Sequence, residues 1–179
     1  MSTISDRIRG GLRAVPDFPK PGILFQDITP LMADAGLFHD TVEALAVAVG
    51  EGNPEYIVGI ESRGFVFGAA AAVRLGCGFV MARKPGKLPC DRETIRYALE
   101  YGEDGLEIHK GIWAAGTKVA IIDDVLATGG TARAAGGLVA ALGGMLTGWA
   151  FVLELDGLGG RLALQGSPVH ALTSLRVSS

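Results

Sequence analysis

Two adjacent carboxylates, Asp123 and Asp124, follow the apolar run Lys118-Val119-Ala120-Ile121-Ile122 and precede the small, glycine-rich segment Ala127-Thr128-Gly129-Gly130-Thr131. The second segment has the composition of a phosphate cradle. Its backbone N–H groups can converge, and a helix starting near Thr131 would add the partial positive charge of its N-terminus. Gly129 and Gly130 permit torsions and close approaches that side chains would block. The hydroxyls of Thr128 and Thr131 add donors. No Gly-Lys-Ser/Thr follows, so this is not the P-loop of nucleotide triphosphatases. Carboxylates beside a phosphate would repel it, but they accept hydrogen bonds from hydroxyls one sugar ring away. Phosphate and diol together point to a ribose 5-phosphate moiety.

A second chemical cluster is cationic. Arg83, Lys84 and Lys87 come directly after an apolar strand-like run, Gly78-Phe79-Val80-Met81-Ala82. Arg63 stands in a turn-forming segment, Glu61-Ser62-Arg63-Gly64, after another such run, Tyr56–Ile60. Four such cations suit a departing, multiply charged anion, and an arginine fork matches diphosphate oxygens.

The elements that would position these groups alternate. Apolar strands are expected over Tyr56–Ile60, Gly78–Ala82, Lys118–Ile122, Gly148–Leu155 and Val169–Leu175. Helices are expected over Ile4–Leu12, Phe38–Val49, Phe65–Leu75 and Ala132–Leu142. Near-continuous apolar strands between helices predict an α/β fold, a Rossmann-like parallel sheet with helices on both faces. In such sheets ligands bind at the carboxyl ends of strands, where all three segments above fall. Four prolines in Val15–Pro30 forbid a helix or a central strand there, yet Phe18, Ile23, Leu24, Phe25 and Ile28 make this stretch a greasy wall. Arg83–Lys110 breaks the rhythm. It is charged and turn-rich, holds two short antiparallel strands, and reads as a lid.

Bulk properties bound the function. The chain has 179 residues, 49% hydrophobic and 20% charged, with a formal net charge of −3. That size fits a single domain over 1–179. The negative balance argues against a nucleic-acid partner. No apolar run has the length and flanks of a membrane span, and Met1–Phe18 lacks the apolar centre of a signal peptide, so a cytoplasmic location with no membrane partner is expected. Cys77 and Cys90 have no CxxC partner and read as free thiols. His39, His109 and His170 lack metal-ligand spacing, so no side-chain metal site is expected. Trp113 and Trp149 read as packing. Gly136-Gly137 marks the helix after the phosphate segment as intrinsically weak.

The Ile121–Thr131 segment resembles the fingerprint of the type I phosphoribosyltransferases. Pro16–Phe25, Glu61–Phe65, Arg83–Pro89 and Leu99-Glu100-Tyr101-Gly102 resemble the adenine-specific branch of that family, and the likeness runs from about Pro16 to Gly160. The resemblance implies a fold with a small hood and mobile antiparallel loop, with 1–35 forming the N-terminal cap and base-binding loop and 83–110 the mobile active-site loop. It implies transfer of phosphoribose from phosphoribosyl diphosphate to adenine, giving AMP and diphosphate in purine salvage. Mg²⁺ would be held mainly through the diphosphate, and the protein would be a homodimer. In this reading Asp123 and Asp124 hold the ribose hydroxyls. Ala127, Thr128, Gly129, Gly130 and Thr131 hold the 5′-phosphate, and Arg63, Arg83, Lys84 and Lys87 face the diphosphate. Glu100 is the catalytic acid/base. Phe25 and Leu158 sandwich adenine, and the backbone near Gln26 reads its edge. Gln26 departs from the arginine the family often has there. A guanine-type base would need other edge partners. A nucleic-acid-binding regulator on the same fold would need a basic face, which a net charge of −3 does not supply.

Overall fold

The computed structural model describes residues 2–98 and 103–177. In chain order the elements are α1 (Ile4–Gly10), β1 (Arg13–Pro16), β2 (Leu24–Asp27), α2 (Thr29–Ala33), α3 (Ala35–Gly50), β3 (Tyr56–Ile60), α4 (Gly64–Leu75), β4 (Gly78–Ala82), β5 (Arg92–Ala98), β6 (Glu103–His109), β7 (Lys118–Leu126), α5 (Gly130–Ala141), β8 (Met145–Asp156), α6 (Gly160–Ala163) and β9 (Val169–Arg176).

Five strands form one parallel sheet in the order β4-β3-β7-β8-β9. Strand residues alternate between its faces. Ile57, Ala120, Ile122, Ala150 and Val152 pack against a cluster that includes Leu45 and Val49 of α3 and Phe67 and Ala71 of α4. Val58, Ile60, Val119, Ile121, Trp149 and Phe151 face a second cluster, built from Ala135, Leu138 and Val139 of α5 and Leu106 and Ile108 of β6. One face is therefore covered by helices. The other is shared between α5 and the antiparallel β5–β6 pair. The lid-like stretch thus contributes to the core through its root, because Leu106 and Ile108 are fully buried.

Two details add to the sequence-based expectation. The proline-rich stretch forms an edge hairpin, β1 paired with β2, outside the main sheet. It then enters the five-residue helix α2, whose first turn accommodates Pro30 because the N–H that proline lacks has no helical partner there. The glycine pair in α5 has a tertiary reason. A Cβ on Gly136 would lie 2.5 Å from the Trp149 ring, and one on Gly137 would lie 2.7 Å from Ile95 Cδ1. Lost helix propensity is exchanged for close packing of α5 on the sheet and on β5.

The crossover from β3 to β4 runs through α4 on one face, and that from β7 to β8 runs through α5 on the other. The strand order therefore reverses between β3 and β7. The carboxyl ends of strands splay apart at such a point and leave a crevice.

Candidate active site

That crevice is a cavity of about 490 Å³ lined by Glu61, Ser62, Arg63, Lys84 and the continuous run Asp123–Ala132. Three adjacent strand ends supply it: β3 gives 61–63, β4 gives Lys84, and β7 gives the acids and the loop.

β7 continues through both acids to Leu126, beyond the expected end at Ile122, while its pairing with β3 stops at Ile122. Asp123 and Asp124 therefore stand on strand backbone whose β3 side is open to the cavity. Asp123 Oδ1 accepts from the Asp124 N–H at 2.9 Å. Burial, and then the adjacent Asp124 charge, push the Asp123 carboxyl well above the usual carboxylate range. Asp124 is 5% exposed, and Arg63 Nε lies 2.5 Å from its Oδ2. The contact has ion-pair distance but not the direction of a hydrogen bond, so Oδ2 keeps unused acceptor capacity.

The loop after β7 ends on Gly129, whose φ of 81° places it in the left-handed region that glycine adopts without strain. It precedes α5, and its carbonyl accepts from the Arg133 N–H at 2.8 Å. The N-terminus of α4, beginning at Gly64, borders the same cavity. Two helix N-termini thus add positive potential to a space already edged by Arg63 and Lys84. One part of the cavity offers carboxylates to hydroxyls, and the rest offers N–H groups and cations to anions.

A phosphoribosyl transferase domain model matches residues 34–154. The adenine phosphoribosyltransferase of Sorangium cellulosum is 56% identical over 158 residues, 88% of this chain and 78% of that relative. The crystal structure of adenine phosphoribosyltransferase from Thermoanaerobacter pseudethanolicus superposes with a TM-score of 0.92 at 47% identity, covering 97% of this chain and all of that one (100%). The Saccharomyces cerevisiae enzyme, solved with an imino-altritol bisphosphate and adenine, gives 0.89 at 44% identity over 94% of this chain and 98% of that one. The chain belongs to the adenine phosphoribosyltransferases. Its parallel sheet and helices are those of the type I fold.

Within that family frame, the structure brings Arg63, Lys84, Asp123, Asp124, Ala127, Thr128, Gly129, Gly130 and Thr131 together. It places Arg83 and Lys87 outside the cavity lining, turned to a common acid. Glu61 Oε2 receives Arg83 Nε at 3.3 Å and the Lys84 N–H at 2.9 Å, and Oε1 receives Lys87 Nζ at 2.7 Å. Burial opposes ionisation of Glu61, but these donors outweigh it and hold the carboxyl below its ordinary range. The basic cluster is thus partly neutralised within the protein. Sequence reasoning singled out the Glu61–Phe65 segment and gave Glu61 no role. Its position one residue past the end of β3, with Arg83, Lys84 and Lys87 following the next apolar strand, was the available signal.

The base-side residues sit apart. Phe25 on β2 meets Phe18 edge-on at 5.2 Å, and the Arg63 guanidinium lies 5.4 Å above its ring. Arg63 therefore bridges the hairpin to Asp124 and occupies one face of the ring expected to stack on adenine. Gln26 pairs with Ala14 across the hairpin. Leu158 is 40% exposed in the turn after β8. Neither Phe25, Gln26 nor Leu158 lines the cavity. Glu100 lies outside the described residues, as do Leu99, Tyr101 and Gly102.

Sequence reasoning also assigned nothing to Asp104. Its carboxylate pairs with Lys84 Nζ. Burial is the largest influence on each and lowers the Lys84 pKa while raising that of Asp104. Their mutual hydrogen bond, the bonds each makes to Tyr97, the Gly105 N–H on Asp104 and the opposite charges together outweigh it, so Lys84 is raised and Asp104 lowered.

Proposed function

We propose that this chain transfers the 5-phosphoribosyl group from phosphoribosyl diphosphate to adenine, releasing AMP and diphosphate. The observation that carries the proposal is the juxtaposition, in one cavity, of a carboxylate pair, a backbone phosphate loop at a helix N-terminus, and Arg63 and Lys84. The relatives' names, and the yeast structure's adenine and bisphosphate ligands, support the same reading.

In this reading the Asp123 and Asp124 carboxylates accept the two ribose hydroxyls, and the 127–131 loop holds the 5′-phosphate. N9 of adenine attacks C1 of the sugar as the C1–O bond to diphosphate breaks, and the bonding pair leaves with diphosphate. Lys84 and Arg63 stabilise that growing charge where it develops. The N9 proton needs an acceptor, a role we assign to Glu100. Phe25 packs on the base once the Arg63 guanidinium turns from its ring to the diphosphate, and Leu158 covers the other face of adenine. The backbone beside Gln26 reads the base edge. Arg83 and Lys87 lend charge from behind Glu61. Residues 1–35 act as the hood, and 83–110, rooted in the core through Tyr97, Leu106 and Ile108, act as the closing loop of a single domain.

Mg²⁺ fits as a companion of the diphosphate. Among the described residues no group of three or more His, Cys, Asp or Glu side chains could hold a metal. Asp123 and Asp124 remain to meet the sugar side of a substrate-borne ion. When bound, the ion would neutralise charge on the leaving diphosphate. A cytoplasmic setting agrees with two free cysteines, and among the described residues no helix is long and apolar enough to cross a membrane. A homodimer agrees with the exposed apolar side chains Phe18, Ile23 and Leu24 on the β1–β2 hairpin, and a one-chain mass by light scattering would refute it.

The deciding experiment supplies phosphoribosyl diphosphate and Mg²⁺ with adenine, guanine, hypoxanthine or xanthine in turn. AMP should form from adenine at a rate far above the other nucleotides. No AMP from adenine would overturn the proposal.

A further inference from the structure

Lys84 and Thr131 line the same cavity from different elements. Behind both stands a single hydroxyl. Tyr97 Oη on β5 lies 3.1 Å from Thr131 Oγ1, 3.3 Å from Lys84 Nζ and 3.2 Å from Asp104 Oδ2. The Tyr97 ring is 8% exposed and belongs to the core cluster beneath α5. Packing therefore fixes where its hydroxyl sits. Tyr97 is not part of the cavity lining.

Counting donors decides what this hydroxyl can do. The Lys84 ammonium has three N–H donors and no acceptor. Asp104 and Tyr97 take two from behind, which leaves one for the cavity. Tyr97 accepts from Lys84 and has one proton to give, either to Asp104 or to Thr131. If it goes to Asp104, Thr131 must donate to Tyr97 and turns a lone pair toward the cavity, which repels an anion. If it goes to Thr131, the threonine proton is free to point into the cavity. An anion in the 127–131 loop selects the second arrangement. The donors then run in one direction, from Lys84 to Tyr97 to Thr131 to the anion. Asp104 keeps the Lys84 ammonium as its partner in either case.

We propose that Tyr97 is a positioning residue that couples the two anion-binding ends of the cavity. Its hydroxyl holds the Lys84 ammonium at the diphosphate end and sets the direction of the Thr131 proton at the 5′-phosphate end. The proposal rests on the phosphoribosyl diphosphate reading of this cavity. Titration of the wild type and of the variants separates the two.

Ribose 5-phosphate and inorganic diphosphate serve as separate probes in titration calorimetry of the full chain. Wild type tests the site itself: if it binds neither probe, the site reading fails and the Tyr97 proposal falls with it. Tyr97→Phe keeps the ring and its contact with Lys84, at 5.8 Å from Nζ to the ring centre, and removes only the hydroxyl. It should weaken both probes, each by about tenfold, the worth of one hydrogen bond to a charged group. In a Thr131→Val background the same change should cost less than about twofold for ribose 5-phosphate, because its route through Thr131 is already gone. Thr131→Val leaves Tyr97 only Asp104 Oδ2 to donate to, the oxygen that also holds the Lys84 ammonium. This change alone should therefore weaken inorganic diphosphate, although Thr131 belongs to the other end, and this arm stands even if Tyr97→Phe does not fold. A purely structural role predicts a lower thermal midpoint with unchanged affinities. That result, a loss confined to one probe, fully additive losses, or unchanged diphosphate binding in Thr131→Val would each overturn the proposal.

Discussion

The phosphate loop depends on a residue 29 positions beyond its end. Gly160 opens α6, and a Cβ there would lie 2.1 Å from the Ala127 carbonyl oxygen, about 1.3 Å short of the 3.4 Å at which ordinary contact begins. It would also lie 2.9 Å from Leu126 Cγ. The interlock runs both ways, because a Cβ on Gly129 would lie 2.7 Å from the Gly160 carbonyl oxygen. No flexible side-chain tip can give way at Ala127, so the backbone must move by roughly 1 Å. Gly160→Ala should then cost about 1–3 kcal/mol as overpacking and lower the thermal midpoint by about 3–10 °C for a chain of this size. Displacement of the anion-binding N–H groups by about 1 Å should lower kcat/KM for phosphoribosyl diphosphate on the order of 100-fold. Initial rates of AMP formation at saturating adenine, with thermal unfolding alongside, measure both. Gly159→Ala is the control. Its φ of 74° imposes strain on alanine, but a Cβ there has nothing within 4 Å, so stability should fall slightly while kcat/KM stays near wild type. A folded Gly160→Ala protein with unchanged kcat/KM would refute the idea that this turn buttresses the loop.

The raised pKa of Asp123 carries a signed pH dependence. Ribose hydroxyls bind the ionised carboxylate, so affinity for ribose 5-phosphate should rise with pH through a midpoint well above the ordinary value of 3.8. For stability the sign is opposite. A folded-state pKa above the unfolded one means that ionised Asp123 opposes folding, and the cost grows as pH climbs from 3.8 to the folded value. Asp123→Asn should therefore flatten the binding profile yet raise the thermal midpoint at neutral pH; a lower midpoint would contradict the assigned cause. Glu100→Gln should slow turnover far more than it weakens phosphoribosyl diphosphate binding, and equal losses in both would remove Glu100 from the chemistry.

Strand and helix periods made the α/β architecture legible. Ile57 and Val58, or Ile121 and Ile122, are apolar on both sides, which only a sheet covered on both faces demands. The phosphate loop was legible because its chemistry is local: acids, small residues and a helix start are contiguous from Asp123 to Thr131, and backbone donors need no distant partner. What no local pattern encodes is which distant charges meet. Parallel pairing of β3 with β4 puts Glu61 opposite Arg83 and Lys87, while the reversal of strand order between β3 and β7 sets Arg63 between Asp124 and Phe25 and opens the cavity that Lys84 lines as its two neighbouring cations turn away. Tyr97 and Asp104 meet Lys84 and Thr131 because β5 and β6 pack on the same sheet face as α5. Opposite charges attract whichever partner the backbone brings within a few ångströms, and that proximity depends on the crossover path of the chain. The sequence by itself determined a cradle for a ribose phosphate. The tertiary structure decided which cations face it, what neutralises the others, and that one buried tyrosine hydroxyl stands behind both ends.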